Sequence, residues 1–197
     1  AYVGQKVKKS GRTSGLTTGK VSALHATISV EYTDECGGKP YTSTFHDQIL
    51  ITPGSFIKGG DSGSLLVENV AKNPRPIGLL FAGSPQVAIA NPIQTVLDTF
   101  AVRMVGVATT PVKSMSLAKI HPTLIAHAKD VKNKYANKLM RLDGAVGHAV
   151  GVSKANPLQP SVVVLVESIT SAFQALVPTQ LDGVAVEVME IGKIKAY

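Results

Sequence analysis

Apolar residues recur along this chain with two different periods. Up to about residue 103 they alternate with polar residues or form short β-branched runs, the period-two pattern of strands in a sheet. Tyr2 to Lys8 reads as a strand entering a glycine-rich turn. Thr17 to Tyr32 reads as a long strand, with Val21, Ala23, His25, Thr27 and Ser29 on one face. A tip at 34–40 turns it into a strand from Thr42 to Thr52, which Pro53-Gly54 closes. Ser64–Glu68 and Pro76–Ala82 follow, joined by the polar loop Ala71–Arg75, and Val87–Ala90 returns. Asn91 is expected to cap a helix with Pro92 at its first position, running to about Ala101. Six strands and a closing helix predict a small antiparallel barrel.

Residues 104–115, with Thr109-Thr110-Pro111, read as a linker. Beyond them the period changes. Leu117, Ile120, Leu124, Ala128, Val131, Tyr135, Leu139 and Leu142 lie three or four apart, one face of a single long helix. Pro122 opens or kinks that helix, and Gly144 ends it. Its other face carries Lys119, Lys129, Lys132, Lys134, Lys138 and Arg141 against Asp130, and reads as a solvated face. Strands return at Ala145–Ser153, Ser161–Ser168, Val184–Ile191 and Lys193–Tyr197, with a short helix at Ser171–Leu176. That order predicts a small α/β sandwich. The expected organisation is mainly β: a barrel at 1–103, linker and amphipathic helix at 104–143, and an α/β module at 144–197.

Composition narrows the function classes. A hydrophobic content of 44% over 197 residues is enough for one or two packed domains. The longest apolar run, Val162 to Val166, is strand length, well short of the roughly 18 residues a membrane helix needs, so no membrane partner is expected. The net charge of +7 is spread evenly, ten basic residues in 1–103 and ten in 104–197. With no tryptophan for base stacking and no nucleic-acid motif, no nucleic-acid partner is expected. The single cysteine, Cys36 in a hairpin tip, excludes an internal disulfide and fits a cytoplasmic setting. No residue pattern calls for a metal or cofactor.

The chemistry concentrates in Gly60-Asp61-Ser62-Gly63-Ser64-Leu65-Leu66. A nucleophilic serine must stand on a tight turn with its hydroxyl exposed and backbone N–H groups aimed at a developing oxyanion. Gly60 supplies a positive φ and a close approach for a carbonyl. Asp61 pairs with an inner partner to hold the loop, and Leu65 and Leu66 enter a buried strand. Together with Lys9–Val21, Gly78–Ser84 and Ala88–Ile93, this loop resembles the C-terminal barrel of chymotrypsin-like (trypsin-like) serine peptidases, in particular bacterial ones without disulfides. The tail is similar to small α/β modules attached to such proteases.

The resemblance implies a serine endopeptidase with Ser62 as nucleophile, the N–H groups of Gly60 and Ser62 as oxyanion hole, and a peptide or protein as substrate. It implies a primary pocket framed by Ser55–Gly59 and Phe81–Ser84, with Phe56, Ile57, Phe81, Ala82 and Gly83 as substrate-binding residues. Counting from the serine puts Phe56 at the pocket base, where basic-specific relatives carry an acid. With Lys58 nearby, an apolar or small residue is expected before the cleaved bond. The family's catalytic histidine and aspartate lie in a barrel upstream, so the chain is expected to be a fragment or one subunit, partnered by a segment carrying both and open to self-association.

None of His25, His46, His121, His127 and His148 is spaced to serve Ser62. His46 and Asp47, adjacent on a strand, point to opposite faces. His121 and His127, six apart, do not share a helix face. A non-enzymatic reading competes: a pseudoprotease barrel serving as an interaction module.

Overall fold

A computed structural model describes residues 1–32, 39–105 and 120–197. Cys36, Leu117, Lys119 and most of the expected linker lie outside the described residues. The elements of the first half are β1 (Lys6–Gly11), β2 (Gly15–Tyr32), β3 (Tyr41–Thr52), β4 (Leu65–Glu68), β5 (Pro76–Gly83), β6 (Ala88–Pro92) and α1 (Ile93–Phe100). Those of the second are α2 (Pro122–Lys134), α3 (Ala136–Leu139), β7 (Ala145–Val152), β8 (Pro160–Val166), α4 (Ser171–Leu176), β9 (Gln180–Leu181), β10 (Val184–Glu190) and β11 (Lys195–Ala196).

The fold is mainly β. Strands β1, β4, β5, β6, β3 and β2 pair in that order, and β2 pairs back onto β1, so six strands close a ring. Every pairing around it is antiparallel. Closure leaves these strands no free edge along the ring. Val7, Val21, Ile51, Phe56, Leu66 and Leu80 fill its interior.

The long strand β2 departs from simple alternation. Ala23 and Leu24 are both buried, followed by Ala26, Ile28 and Val30. The expected face through His25, Thr27 and Ser29 therefore turns outward. Irregularities in the β2–β3 register between Val21 and Ile28, with His25 at φ 51°, move the buried phase by one residue. The same half of β2 pairs with β7 through Leu24, Thr27 and Ile28. The sheet then runs on through β8, β10 and β9.

β8 is buried at every residue because both its faces are covered. Val163 and Leu165 pack with Ala26, Ile28, Val30, Leu50 and Ile89 of the barrel strands. Val162, Val164 and Val166 pack under Ala128, Val131 and Leu139. β10 runs parallel to β8, so its connection must cross over, and α4 supplies the crossover.

Three local expectations are corrected. Asn91 belongs to β6, and Pro92 itself is the N-cap of α1 without a side-chain cap bond, because Asn91 pairs with Leu79 in the ladder. The single long helix is two, broken at Tyr135 (φ −99°), whose hydroxyl donates to Asp182 Oδ1 at 2.9 Å. Pro122 does stand at the first turn of α2. The lysine face is not wholly solvated: Lys132 is 3% exposed, on the same stripe as Ala128 and Val131. Among the described residues no helix is long and apolar enough to cross a membrane.

Candidate functional site

Ser62 stands between β1, β4 and β5 on a loop that the β1–β2 hairpin grips from behind. Asp61 is fully buried, and Lys9, 1% exposed, meets it with Nζ to Oδ2 at 2.9 Å. The other oxygen, Oδ1, accepts from the N–H groups of Thr13 at 2.8 Å and Ser14 at 3.1 Å. The Ser14 hydroxyl and the Lys58 N–H complete the set on Oδ2. Burial alone would raise the Asp61 carboxyl, but these hydrogen bonds from Ser14, Lys9 and Thr13 outweigh it and hold it well below the usual carboxylate range. Asp61 has the inner partner expected of it, and that partner is a lysine.

Pinning Asp61 fixes its neighbours. Gly60 has φ 90°, and a Cβ there would lie 2.5 Å from an Arg12 guanidinium nitrogen and 2.6 Å from Thr13 Oγ1. Only glycine fits that conformation in that space. The turn is tied by Asp61 N–H to Lys58 O at 2.9 Å, Gly63 N–H to Leu80 O at 2.9 Å and Ser64 N–H to Asp61 O at 3.0 Å. Among the described residues the N–H groups of Gly60 and Ser62 donate to no protein acceptor. Ser62 is exposed, with Oγ 3.4 Å from Phe81 O and donating to Tyr197 O.

The expected substrate-binding residues separate into two groups. Phe81, Ala82 and Gly83 lie along β5 beside Ser62, and β11 pairs antiparallel with that stretch. Ile57 reaches them, its Cγ2 2.8 Å from where a Gly83 Cβ would stand. Phe56 faces the barrel interior at 1% exposure, its ring against Gly19, and its carbonyl accepts from Thr17 Oγ1 at 2.8 Å.

No histidine contacts Ser62 among the described residues. His25 Nδ1 lies 2.5 Å from Asp47 Oδ1, His46 Nδ1 is 3.3 Å from Thr27 Oγ1, and His121 accepts from Thr123 N–H as the N-cap of α2. His46 and Asp47 meet different partners, Thr27 and His25, and the His25–Asp47 pair across β2 and β3 was not legible in the sequence. It depends on the bulge, with both residues at positive φ. Lys129 Nζ also approaches Asp47 at 3.6 Å. Burial would raise Asp47, but His25 and Lys129 lower it overall. Behind this pair Lys132 donates to His25 O at 2.7 Å, and burial pulls its ammonium down to about 8. His148, opposite Thr27 on β7, is 4% exposed, and its Nδ1 has no partner among the described residues. Burial, then Lys132 and His46, lower its imidazole to about 4. A cavity of about 1020 Å³ opens near Tyr2, Ser22, His25, Val152 and Met189, and Ser62 does not line it.

With this geometry established, comparison with known proteins gives a partial match. A family model described as the Nal1 C-terminal domain matches residues 1–92, which end with the last residue of β6. Protein NARROW LEAF 1 of Oryza sativa subsp. japonica is 38% identical over 89 residues, covering 43% of this chain and 14% of that protein. The chain therefore spans a small part of that relative's length. Among solved structures, a glutamic acid specific serine protease, titled as utilizing a novel histidine triad in substrate binding, is 27% identical over 51% of this chain and 48% of its own, with a TM-score of 0.37. The chymotrypsin of Cellulomonas bogoriensis is 26% identical over 53% and 51%, with a TM-score of 0.39. The family and curated sequence matches run to a plant protein, which corrects the expectation of a bacterial peptidase.

Proposed function

We propose that this chain carries the nucleophile of a serine endopeptidase and that its catalytic histidine and aspartate come from a segment outside these 197 residues. One observation carries the reading. An extended stretch of backbone, residues 195–197, runs along β5, and the Ser62 hydroxyl donates to the backbone oxygen of Tyr197, on a loop whose Gly60 and Ser62 N–H groups have no protein acceptor among the described residues. In the reaction, Oγ attacks the carbonyl carbon of a bound peptide while its proton passes to the imidazole supplied from outside. The carbonyl oxygen becomes an anion between the two N–H groups. The imidazolium then protonates the leaving amine as the C–N bond breaks, and water hydrolyses the ester by the same route. No metal or cofactor enters these steps.

A second reading is supported by the hydroxyl's acceptor, a backbone carbonyl, and by the engagement of His25, His46 and His121 elsewhere. On that reading the barrel binds extended peptide without cutting it.

The test is labelling with a fluorophosphonate probe. The isolated chain stays unlabelled, because removing the base costs about as much as removing the serine, on the order of 10⁶ in kcat. Adding the upstream half, expected to co-purify through an interface of roughly 600–1,500 Å², brings labelling at Ser62, and Ser62→Ala abolishes it. Absence of labelling with the upstream half folded and bound transfers the conclusion to the peptide-binding module.

A further inference from the structure

The groove beside Ser62 is filled by the chain's own last described strand. Its anchor lies upstream of the groove. Ile191 is fully buried and Ile194 is 3% exposed, both within the core shared by β2, β3 and β8. The Ser84 hydroxyl donates to Ile191 O, Glu31 N–H donates to Ile194 O at 3.0 Å, and Lys193 pairs with Glu31 at 2.8 Å. Beyond Ile194 the character changes. Lys195 is exposed, Ala196 half-buried and Tyr197 41% exposed.

These three residues are held by main chain. Lys195 stands opposite Gly83 and Ala196 opposite Ala82 in antiparallel register, while Lys195 also pairs in parallel with Glu31 of β2. Tyr197 N–H donates to Phe81 O at 3.2 Å, and Tyr197 O accepts from Ser62 Oγ. The Tyr197 ring lies on Gly83: a Cβ at 83 would be 3.2 Å from Tyr197 Cε2 and 2.8 Å from Ile57 Cγ2. The aromatic ring thus meets Gly83 beside Ile57, and the backbone before it forms the added strand.

We infer that residues 195–197 form an intramolecular strap that competes with extended peptides for the groove along β5, and that the groove prefers an aromatic residue at the carbonyl beside Ser62. This rests on the reading of Ser62 as the reacting group, which names the carbonyl that matters. Strand addition draws its affinity from backbone hydrogen bonds that any extended peptide can supply, and side-chain pockets then select. A tethered occupant acts at an effective concentration in the millimolar range, so a free peptide meets a filled groove. Lifting residues 195–197 breaks their main-chain bonds to β5, β2 and Ser62 and leaves the buried contacts of Ile191 and Ile194 in place.

The experiment uses anisotropy of a fluorescein-labelled peptide, Lys-Ala-Tyr amide, with the chain itself. A variant ending after Ile194 binds it at least tenfold tighter than the intact chain. Tyr197→Ala, which keeps the strand and loses the ring, gives an intermediate gain and serves as the measurement if the shortened chain fails to fold. A peptide ending in arginine instead of tyrosine binds at least fivefold more weakly to the shortened chain, and Gly83→Val in that background abolishes binding. Equal affinity of intact and opened chains, or no binding by either, overturns the strap. Indifference to the tyrosine overturns the preference. None of these readouts needs catalysis. If the strap behaves as stated and fluorophosphonate labelling still fails with the upstream half bound, the endopeptidase reading falls and the strap stands.

Discussion

Replacing Lys9 with methionine tests what holds the Ser62 loop. The side chains of Lys9 and Asp61 are both fully buried and their charged atoms are 2.9 Å apart. Methionine keeps most of the volume and removes the charge, which leaves a carboxylate without its cation in the interior. Breaking a buried pair in this way costs about 3–5 kcal/mol. Asp61 retains the Thr13, Ser14 and Lys58 N–H groups and the Ser14 hydroxyl, so the lower end, about 3 kcal/mol, is expected. Urea unfolding at pH 7 measures it. The pH dependence gives a second handle. In the parent, the depressed Asp61 contributes stability that is fully present above the ordinary carboxylate range of about 4 and is lost as pH falls toward its folded value. In Lys9→Met the same carboxyl rises and protonates earlier, so the stability gap narrows on acidification. Adding Asp61→Asn to Lys9→Met removes the unpaired charge and recovers part of the loss. Because Asp61 separates Gly60 from Ser62, labelling of the reconstituted protein falls by on the order of 10²-fold, the cost of misplacing an oxyanion donor. A loss below 1 kcal/mol, or a gap that does not change with pH, refutes the role assigned to the pair.

Other predictions follow from the same contacts. His148 is neutral in the fold, with a folded value near 4 against about 6.5 unfolded, so between those values the unfolded chain binds a proton that the fold does not. Stability therefore falls as pH drops through that window, by an upper limit of roughly 3 kcal/mol at about 1.4 kcal/mol per unit, and is flat above it; a pH series of urea midpoints in which His148→Leu leaves the slope unchanged would refute this. Leu165→Ala empties a buried site between the barrel strands and β8 and costs about 2–5 kcal/mol by thermal or urea unfolding. His25→Ala and His46→Ala leave labelling of the reconstituted protein within about twofold, the scatter of surface changes; a loss of tenfold or more in either would give that histidine the part of base.

How much of this was legible depended on the range of the contact. The ring of strands could be read because its strands are β-branched or alternating over most of their length and glycines or prolines mark the turns, while the phase shift within β2 could not. The nucleophile loop could be read because its residues are contiguous. Lys9 was readable in principle: Val7 and Lys9 share a face of β1, and both are buried. A lysine beside Lys6 and Lys8 resembles a solvated charge run, and only the pairing across 52 positions makes it a core residue. Lys132 repeats the case on α2, four residues after Ala128 on the buried stripe. The His25–Asp47 pair needs a bulge that alternation does not announce, and the pairing of β11 with β5 spans more than 100 positions with no local signal at either end.

These long-range contacts divide the labour at Ser62. The N–H groups of Gly60 and Ser62, which have no protein acceptor among the described residues, stay free for a ligand only if the turn that carries them is held by other contacts. Asp61 provides that hold through five donors, from Lys9, Thr13, Ser14 and Lys58, all of them within this chain. The loop's shape therefore does not wait for a partner. On the proposed reading, the missing segment brings a base to an oxyanion site already formed, and its binding energy need not be spent on ordering that loop. On that reading, what stands between the formed site and an incoming peptide is the strap, along which the chain passes from buried Ile194 to exposed Tyr197 within four residues, held beyond Ile194 by main-chain bonds that a peptide can replace.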